Sequence, residues 1–257
     1  MGPGRSSEPG AGARPIRPEE LGASEALLRE LPDVELLGVL RNSSNYTFLA
    51  RLGPCGDHGL LAVYKPSRGE SPLWDFPTGT LYRREVAAYL LSRALGWPLI
   101  PPTIVREKAP HGVGAMQLFI KAEPRRHYLE TAGAPAALWQ RVALFDVLAN
   151  NADRKSGHCL FDDQGRAWVI DHGLTFHTEP KLRTVIWDFA GQPLPAHVRG
   201  DLERVGGQLD GQFGDQLAGL LSRSELGVLK RRIAAALRPG WAFPHPGSAW
   251  SVPWPPI

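Results

Sequence analysis

Cysteine is scarce in this chain of 257 residues, which contains only Cys55 and Cys159. Two cysteines give no disulfide framework, and they do not supply the repeated cysteine pairs of a structural zinc site. Disulfides are rare in reducing compartments, where thiols stay free. The sequence therefore predicts two reduced thiols in a cytoplasmic protein.

Long apolar runs are missing as well. No stretch of the sequence is long enough to span a bilayer, and the N-terminal residues lack the apolar core of a secretory signal. We therefore expect a cytoplasmic protein without a transmembrane segment. Peripheral contact with a membrane is the remaining option.

Blocks of basic residues are also absent. Lysine and arginine number 29 against 26 acidic residues, which gives a net charge of +3, and the basic residues cluster only briefly, as at residues 230–232. Proteins that bind nucleic acid through its phosphates concentrate such residues on one surface. Nucleic acid is therefore not an expected partner.

What the chain does have is a polar stretch, residues 150–173, after a strongly apolar helical pattern over 136–150. Two acids stand at the ends of predicted elements: Asp153 follows the helix, and Asp171 follows a predicted hairpin. Phosphoryl transfer needs such a pair. One carboxylate orients the acceptor hydroxyl and takes its proton, and the other holds the metal that bridges the ATP phosphates.

The spacing in this stretch resembles the protein-kinase-like superfamily. Asp153 and Lys155 match the first two positions of its D-x-K-x-x-N pattern, and IDHGLTF at residues 170–176 stands where that superfamily has Asp-Phe-Gly. The resemblance is closest to phosphatidylinositol 3- and 4-kinases, especially type II phosphatidylinositol 4-kinases, and covers roughly residues 36–190. It implies an α+β, bilobal fold with a β-rich N-terminal lobe and a mainly helical C-terminal lobe.

In the catalytic lobe, the resemblance assigns Asp153 as the base and Lys155 as a cation that neutralises charge on the moving phosphoryl group. Asp171 would bind the metal. The asparagine expected as the second ligand is replaced by His158. Imidazole is a poor ligand for Mg²⁺ and a better one for Mn²⁺, so the expected cofactors are ATP with Mg²⁺ or Mn²⁺.

In the strand-rich lobe, Lys65 closes the apolar strand 60–64 and matches the lysine that grips the ATP α- and β-phosphates. Glu85, near the start of a helix predicted over 80–95, is its expected partner. Two alternatives stay open. Lys65 simply leaves the core at a strand end, or Glu85 is a solvated charge on the helix surface.

Two further segments of that lobe are expected to bind the nucleotide. The turn that contains Ser43 and Ser44 lies where the superfamily has a glycine-rich loop, so its hydroxyl and backbone N–H groups would donate to phosphates. The strand that ends at Phe119 and Ile120 would present backbone groups to the adenine edge. An ordinary polar hairpin and a plain core strand are the alternatives.

The domain prediction has four parts. Residues 1–22 form a disordered tail rich in Gly, Pro, Ser and Arg, and residues 23–122 form the nucleotide-binding lobe. The catalytic lobe covers 123–238, and a tail rich in Pro and Trp covers 239–257. This last tail either packs on the body through its tryptophans or is an exposed recognition segment.

The sequence thus predicts an ATP-dependent kinase that transfers the γ-phosphoryl group to a hydroxyl acceptor. Phosphatidylinositol, a protein Ser or Thr and a small molecule are the open acceptors. One alternative is a pseudokinase that binds nucleotide and acts as an interaction module, because His158 replaces the expected ligand. Another is a metal hydrolase that uses the two acids with His158 and His172, but this leaves Lys65 without a role.

Overall fold

The structure, a computed structural model, describes residues 21–40, 45–53, 59–123, 126–130 and 135–257. It begins with a helix and five strands: α1 (Leu21–Glu30), β1 (Val34–Val39), β2 (Phe48–Leu52), β3 (Leu60–Pro66), β4 (Thr103–Arg106) and β5 (Gly114–Leu118). The strands form one antiparallel sheet in the order β1-β2-β3-β5-β4. Helix α1 packs on this sheet through the fully buried Leu28.

Strand β3 shows the alternation expected of a sheet with one face on a core. Ala62 and Tyr64 are fully buried, whereas Val63 and Lys65 are partly exposed. Lys65 lies opposite Ala115 of β5, inside the strand rather than after its end. Because side chains alternate along a strand, Lys65 lies on the face opposite Tyr64.

The end of α1 is fixed by Arg106, the last residue of β4. Its guanidinium donates to the carbonyl oxygens of Leu28 (3.0 Å), Arg29 (2.5 Å), Leu31 (2.7 Å) and Pro32 (3.4 Å). The last carbonyls of a helix have no partner within the helix, so a buried charged donor satisfies them. This contact attaches α1 to the sheet.

The rest of the described chain is mainly helical. Its elements are α2 (Leu81–Ala94), α3 (Ala136–Ala149), β6 (Cys159–Phe161), β7 (Ala167–Val169), α4 (Ala196–Gln208), α5 (Gln212–Ala218) and α6 (Arg223–Ala236). Strands β6 and β7 form a hairpin. The helices share a core to which α3 contributes Val142, Phe145 and Leu148, as their helical spacing predicts.

The chain divides into two compact units. The sheet unit takes its described residues from 21–71 and 102–120, and the helical unit takes them from 72–101 and 121–257. The predicted lobe boundary at residue 122 would include α2 in the strand-rich lobe, whereas its buried residues Ala87, Ala88 and Leu91 belong to the core of the helical unit. Burial therefore groups α2 with the helices.

The α+β class predicted from the sequence is confirmed by this succession of a strand-rich sheet and a mainly helical unit. Within the described residues, no helix combines the length and the apolar character that are needed to cross a membrane.

The C-terminal segment, residues 239–257, is irregular apart from a 3-10 turn at Ala249–Ser251. Its first half packs as one of the two alternatives predicts: Phe243 belongs to the core of the helical unit, and Trp241 packs against it. Its second half is largely exposed. The first half therefore packs on the helical unit, and a recognition role for the exposed second half stays a prediction.

Candidate active site

Helix α3 ends at Ala149 and is capped by Asn150, whose backbone is left-handed with φ of 51°. Asparagine tolerates this conformation better than most residues, so the sharp turn falls here. The Asn150 side chain then fixes a later segment. Its Nδ2 donates to the carbonyls of His177 (2.9 Å) and Glu179 (2.6 Å), and its Oδ1 accepts the N–H of Lys181 (2.9 Å). The loop at 151–158 therefore starts from a fixed point.

The centre of this loop is a buried ion pair between Arg154 and Asp146 of α3. Both side chains are fully buried, and Arg154 Nε and Nη2 donate to the carboxylate at 3.0 to 3.2 Å. Asn151 Nδ2 also donates to Asp146 Oδ1 (2.9 Å), and Asn151 Oδ1 accepts the N–H of Asp153 (3.0 Å). Asp146 therefore positions Asp153 through one intervening side chain.

Arg154 also connects the loop to the end of β7. Its Nη1 donates to the carbonyl of Ile170 (2.9 Å), and its Nη2 lies 2.7 Å from His172 Nε2. A guanidinium only donates, so His172 Nε2 accepts and the neutral ring carries its proton on Nδ1. Arg154 thus holds Asp171 from both sides, through the residue before it and the residue after it.

Asp171 itself has a left-handed backbone, with φ of 61°. That conformation is uncommon for residues other than glycine, so the surroundings must maintain it. Glu85 of α2 contributes, because its Oε2 accepts the N–H of His172 (3.1 Å). Glu85 is buried, so the alternative of a solvated surface glutamate is wrong. Its pairing with Lys65 stays a prediction.

Asp153 is partly buried beside a cation. Its side chain is 25% exposed, and its Oδ2 lies 3.4 Å from Lys155 Nζ. Burial raises the pKa of Asp153, Lys155 opposes this rise, and the charge of Asp171 adds to it. A carboxylate whose pKa is raised is a stronger proton acceptor than an ordinary one.

The two predicted metal residues lie together. His158 Nε2 is 3.4 Å from Asp171 Oδ2. The other ring nitrogen, Nδ1, faces the N–H of Lys155 (3.4 Å) and accepts it. In the neutral ring the proton is then assigned to Nε2, where it points at Asp171. Coordination of a metal by Nε2 requires that this proton leave.

The side chains around Asp171 decide whether the site could bind the divalent metal that a kinase-like fold implies. In the parts of the chain that the structure describes, no group of three or more His, Cys, Asp or Glu side chains is arranged to hold an ion. Mg²⁺ is commonly held by one or two carboxylates together with substrate phosphates. Asp171, whose side chain is 49% exposed, fits such a shared metal as its protein ligand.

The other nucleotide-binding residues predicted from the sequence belong to the sheet unit. The N–H of Phe119 donates to the carbonyl of Leu61 (3.0 Å), so the sheet already uses it. A role in adenine binding is left to the Phe119 carbonyl and to Ile120, and it stays a prediction. Ser43 and Ser44 lie outside the described residues.

Cys159 follows the loop directly and is not a nucleophile in this environment. Its side chain is buried, and burial raises the pKa of the thiol to about 12, although Arg154 opposes that rise. The thiolate is the reactive form of cysteine, and it is not populated near neutral pH with such a pKa. The chemistry of the stretch therefore rests on its acids.

A curated protein matches the chain over most of its length. Protein Rv2133c of Mycobacterium tuberculosis (strain ATCC 25618 / H37Rv) is 38% identical over 258 residues, which cover 87% of this chain and 92% of that protein. The chain belongs to the family of Protein Rv2133c. No protein-family model matches it.

A second relative matches locally. Phosphatidylinositol 4-kinase gamma 4 of Oryza sativa subsp. japonica is 32% identical over 108 residues. The match covers 35% of this chain and only 19% of the plant protein. It therefore agrees with the resemblance to phosphatidylinositol 4-kinases without showing membership of that family.

Solved structures show the fold. The Golgi casein kinase with Mn/ADP bound aligns with 86% of this chain and 75% of its own, with a TM-score of 0.56 and 14% identity. Hydra Fam20 with sugar aligns with 86% and 89% of the two chains, with a TM-score of 0.50 and 14% identity. The predicted protein-kinase-like fold is confirmed. The phosphatidylinositol 3-/4-kinase branch stays a prediction.

Sequence reasoning named Asp153, Lys155, His158 and Asp171, and the structure brings these side chains together. It missed the two asparagines that begin the loop and the role of His172 in accepting from Arg154. A signal for Asn150 was available, since asparagine directly after an apolar helix favours a left-handed cap. Nothing local marks His172 as the partner of Arg154.

Asp146→Ala should lower the free energy of unfolding by about 3–5 kcal/mol, because it leaves a buried guanidinium without its counter-ion. Urea denaturation measures the change. The matched control is Lys230→Ala, which breaks an exposed ion pair with Asp210 (2.7 Å) and should cost less than about 1 kcal/mol. Equal losses in the two variants would show that the Arg154–Asp146 pair does not hold the loop.

Proposed function

We propose that the protein is an ATP-dependent phosphotransferase of the protein-kinase-like fold. The observation that carries this proposal is that one buried arginine, Arg154, is built into the same network as both acids. Asp153 is bound through Asn151 and Asp146, and Asp171 is flanked by Ile170 and His172. A proton acceptor and a metal ligand held in fixed relation are what in-line phosphoryl transfer requires.

In this mechanism Asp153 accepts the proton of the acceptor hydroxyl as that oxygen attacks the γ-phosphorus. The bond between the γ-phosphorus and the β,γ-bridging oxygen breaks, and ADP leaves. The raised pKa of Asp153 makes its carboxylate a better acceptor. Lys155, 3.4 Å from Asp153, offsets the negative charge that accumulates beside it. Asp171 would hold a divalent metal on the nucleotide phosphates, and the metal would supply charge neutralisation. Lys65 of the sheet unit is the proposed ligand of the α- and β-phosphates.

For the acceptor we favour the inositol hydroxyl of phosphatidylinositol. The support is the 32% identity to phosphatidylinositol 4-kinase gamma 4 over 108 residues, whereas the aligned Golgi casein kinase is 14% identical. A protein Ser or Thr is the second acceptor to test. Fold alone does not select between them.

A nucleotide-binding pseudokinase is the second candidate, and one observation favours it. His158 presents a protonated Nε2 to Asp171 where the superfamily has an asparagine oxygen. A donor in that position competes with the metal for the same carboxylate. The metal-hydrolase alternative fits less well, because His172 is buried and its Nε2 accepts from Arg154.

Asp153→Asn should abolish transfer of labelled γ-phosphate to phosphatidylinositol vesicles, with a loss of at least about 100-fold, while ATP still raises the melting temperature. The matched control is Asp163→Asn, which alters an exposed acid in the turn between β6 and β7. Wild-type activity in Asp153→Asn would remove the base assignment. No transfer by the wild type to lipid or protein, with ATP binding intact, would favour the pseudokinase.

Lys155→Met should move the acidic limb of the kcat/KM profile to higher pH. Lys155 lowers the pKa of Asp153, so its removal lets burial and Asp171 raise that pKa further. Asp153 must be deprotonated to act, and activity is then lost at a higher pH as the solution is acidified. Lys121→Met, at an exposed lysine, is the control. An unmoved limb would mean that the titrating group is not Asp153.

His158→Asn should shift the metal preference from Mn²⁺ towards Mg²⁺. The substitution replaces a ring N–H donor by an amide that offers oxygen, the ligand atom Mg²⁺ prefers. The measurement is the ratio of transfer rates with the two metals, and the wild type should be at least as active with Mn²⁺. A wild type that strongly prefers Mg²⁺ would contradict a direct role of His158 in metal binding.

A further inference from the structure

Three tryptophans stand out of the surface of the helical unit. Trp74, Trp250 and Trp254 are 91%, 81% and 86% exposed. Trp97, Trp139 and Trp168 are buried, as is usual for so large an apolar side chain. Exposing three indoles in one unit leaves a large apolar area in water, which makes them candidates for an interaction surface. We call these three side chains the tryptophan face.

The tryptophan face lies along the candidate active site. Lys181 Nζ is 4.9 Å from the centre of the Trp74 ring, and Arg183 Nε donates to the carbonyl of Trp250 (3.0 Å). Lys181 and Arg183 are two residues apart, so Trp74 and Trp250 flank the same short segment. Arg154 of the loop donates its N–H to the carbonyl of Arg183 (3.0 Å).

The backbone before and after Trp254 is held by hydrogen bonds to neighbouring segments. Ser251 O accepts the N–H of Thr184 (3.0 Å), and Pro256 O accepts the N–H of Ser156 (2.8 Å). Both donors belong to segments that contact or form the 151–158 loop. The Trp74 ring therefore lies beside Lys181, and the backbone that carries Trp250 and Trp254 is hydrogen-bonded to the same segment and to the 151–158 loop.

The part of this face that the C-terminal segment, residues 239–257, forms carries no acidic or basic side chain of Asp, Glu, Lys or Arg. Its neighbour Arg183 is partly exposed, and Lys181 is paired with Asp75 (2.9 Å). Burying such a segment in an interface costs no desolvation of charge, and the arginine beside it favours an anionic partner.

The shape of the surroundings favours a bilayer over a protein groove. Protein hot spots place tryptophan in closely packed, desolvated pockets. These rings are more than 80% exposed, so this protein forms no pocket around them. A protein partner would have to supply the whole pocket. The headgroup region of a membrane accepts an indole without a matching shape, and tryptophan is enriched there.

We propose that the tryptophan face docks this protein on the headgroup region of anionic phospholipid bilayers, with the 151–158 loop facing the lipid. Trp74, Trp250 and Trp254 enter the interface, and Arg183 contacts anionic headgroups. The orientation presents Asp153 to a lipid hydroxyl. In that respect the inference rests on the proposed function, but the docking itself needs no catalysis.

The test is co-sedimentation of the full chain with vesicles of phosphatidylcholine alone and of phosphatidylcholine with phosphatidylserine. Binding should be stronger to the anionic vesicles and should weaken with added salt. Each of Trp74→Ala, Trp250→Ala and Trp254→Ala should lower the partition coefficient by about tenfold. Tyr46→Ala, an exposed aromatic residue of the sheet unit, is the matched control and should leave it unchanged.

Lipids brominated along the acyl chain should quench the fluorescence of the bound wild type, and quenching should be lost in the triple variant. Running the assay in Asp153→Asn separates docking from catalysis: full binding there with no transfer supports docking whatever the fate of the kinase proposal. Equal partition of the wild type and the triple variant would overturn the inference. So would a wild type that ignores vesicles and instead self-associates through these tryptophans in sedimentation velocity.

Discussion

The buried pair of Arg154 and Asp146 is the interaction on which the candidate site depends. Removing two charges from water costs several kcal/mol per ion, and an apolar pair of similar volume is often as stable. The pair is better explained by the way it orients neighbouring groups than by a contribution to stability. Carboxylate, backbone carbonyl and imidazole meet the guanidinium on three sides, so its position fixes theirs. Apolar packing does not impose such directions.

The Arg154–Asp146 pair is connected to both acids of the candidate site through one or two residues each. Asp153 precedes Arg154 in the chain and is bound through Asn151, while Asp171 is flanked by the two residues that Arg154 contacts. An error in the guanidinium position therefore displaces both acids together. Preorganisation of this kind lowers the cost of bringing the reacting groups into line, and it is achieved before any substrate is bound. The left-handed backbone of Asp171 shows that the surroundings dictate its conformation.

The sequence predicted those features of the site that depend on neighbouring residues in the chain, and it did not predict those that depend on distant contacts. The order helix, loop, hairpin and acid could be read from periodicity over residues 136–173, and the fold class from the resemblance of these motifs to the protein-kinase-like superfamily. The partner of Asp146 could not, because a solvent-facing acid and a buried one give the same local pattern. Glu85 illustrates the same limit: its burial against the N–H of His172 is set by contacts 87 residues apart in the chain. The exposure of Trp250 and Trp254 was likewise undetermined, since tryptophan in a Pro-rich tail serves packing and recognition equally.

The C-terminal segment, residues 239–257, carries part of the tryptophan face and also contacts the 151–158 loop. Pro256 O accepts the N–H of Ser156 in the 151–158 loop, and Ser251 O accepts that of Thr184 beside it. Both backbone donors are thus satisfied by the segment that carries two of the exposed tryptophans. A buried N–H group that loses its acceptor costs about 1–3 kcal/mol, so removing the segment would disturb the loop as well as the face. Docking and loop geometry are therefore linked through the backbone. The link runs through Ser156, which follows Lys155 directly and lies two residues before His158.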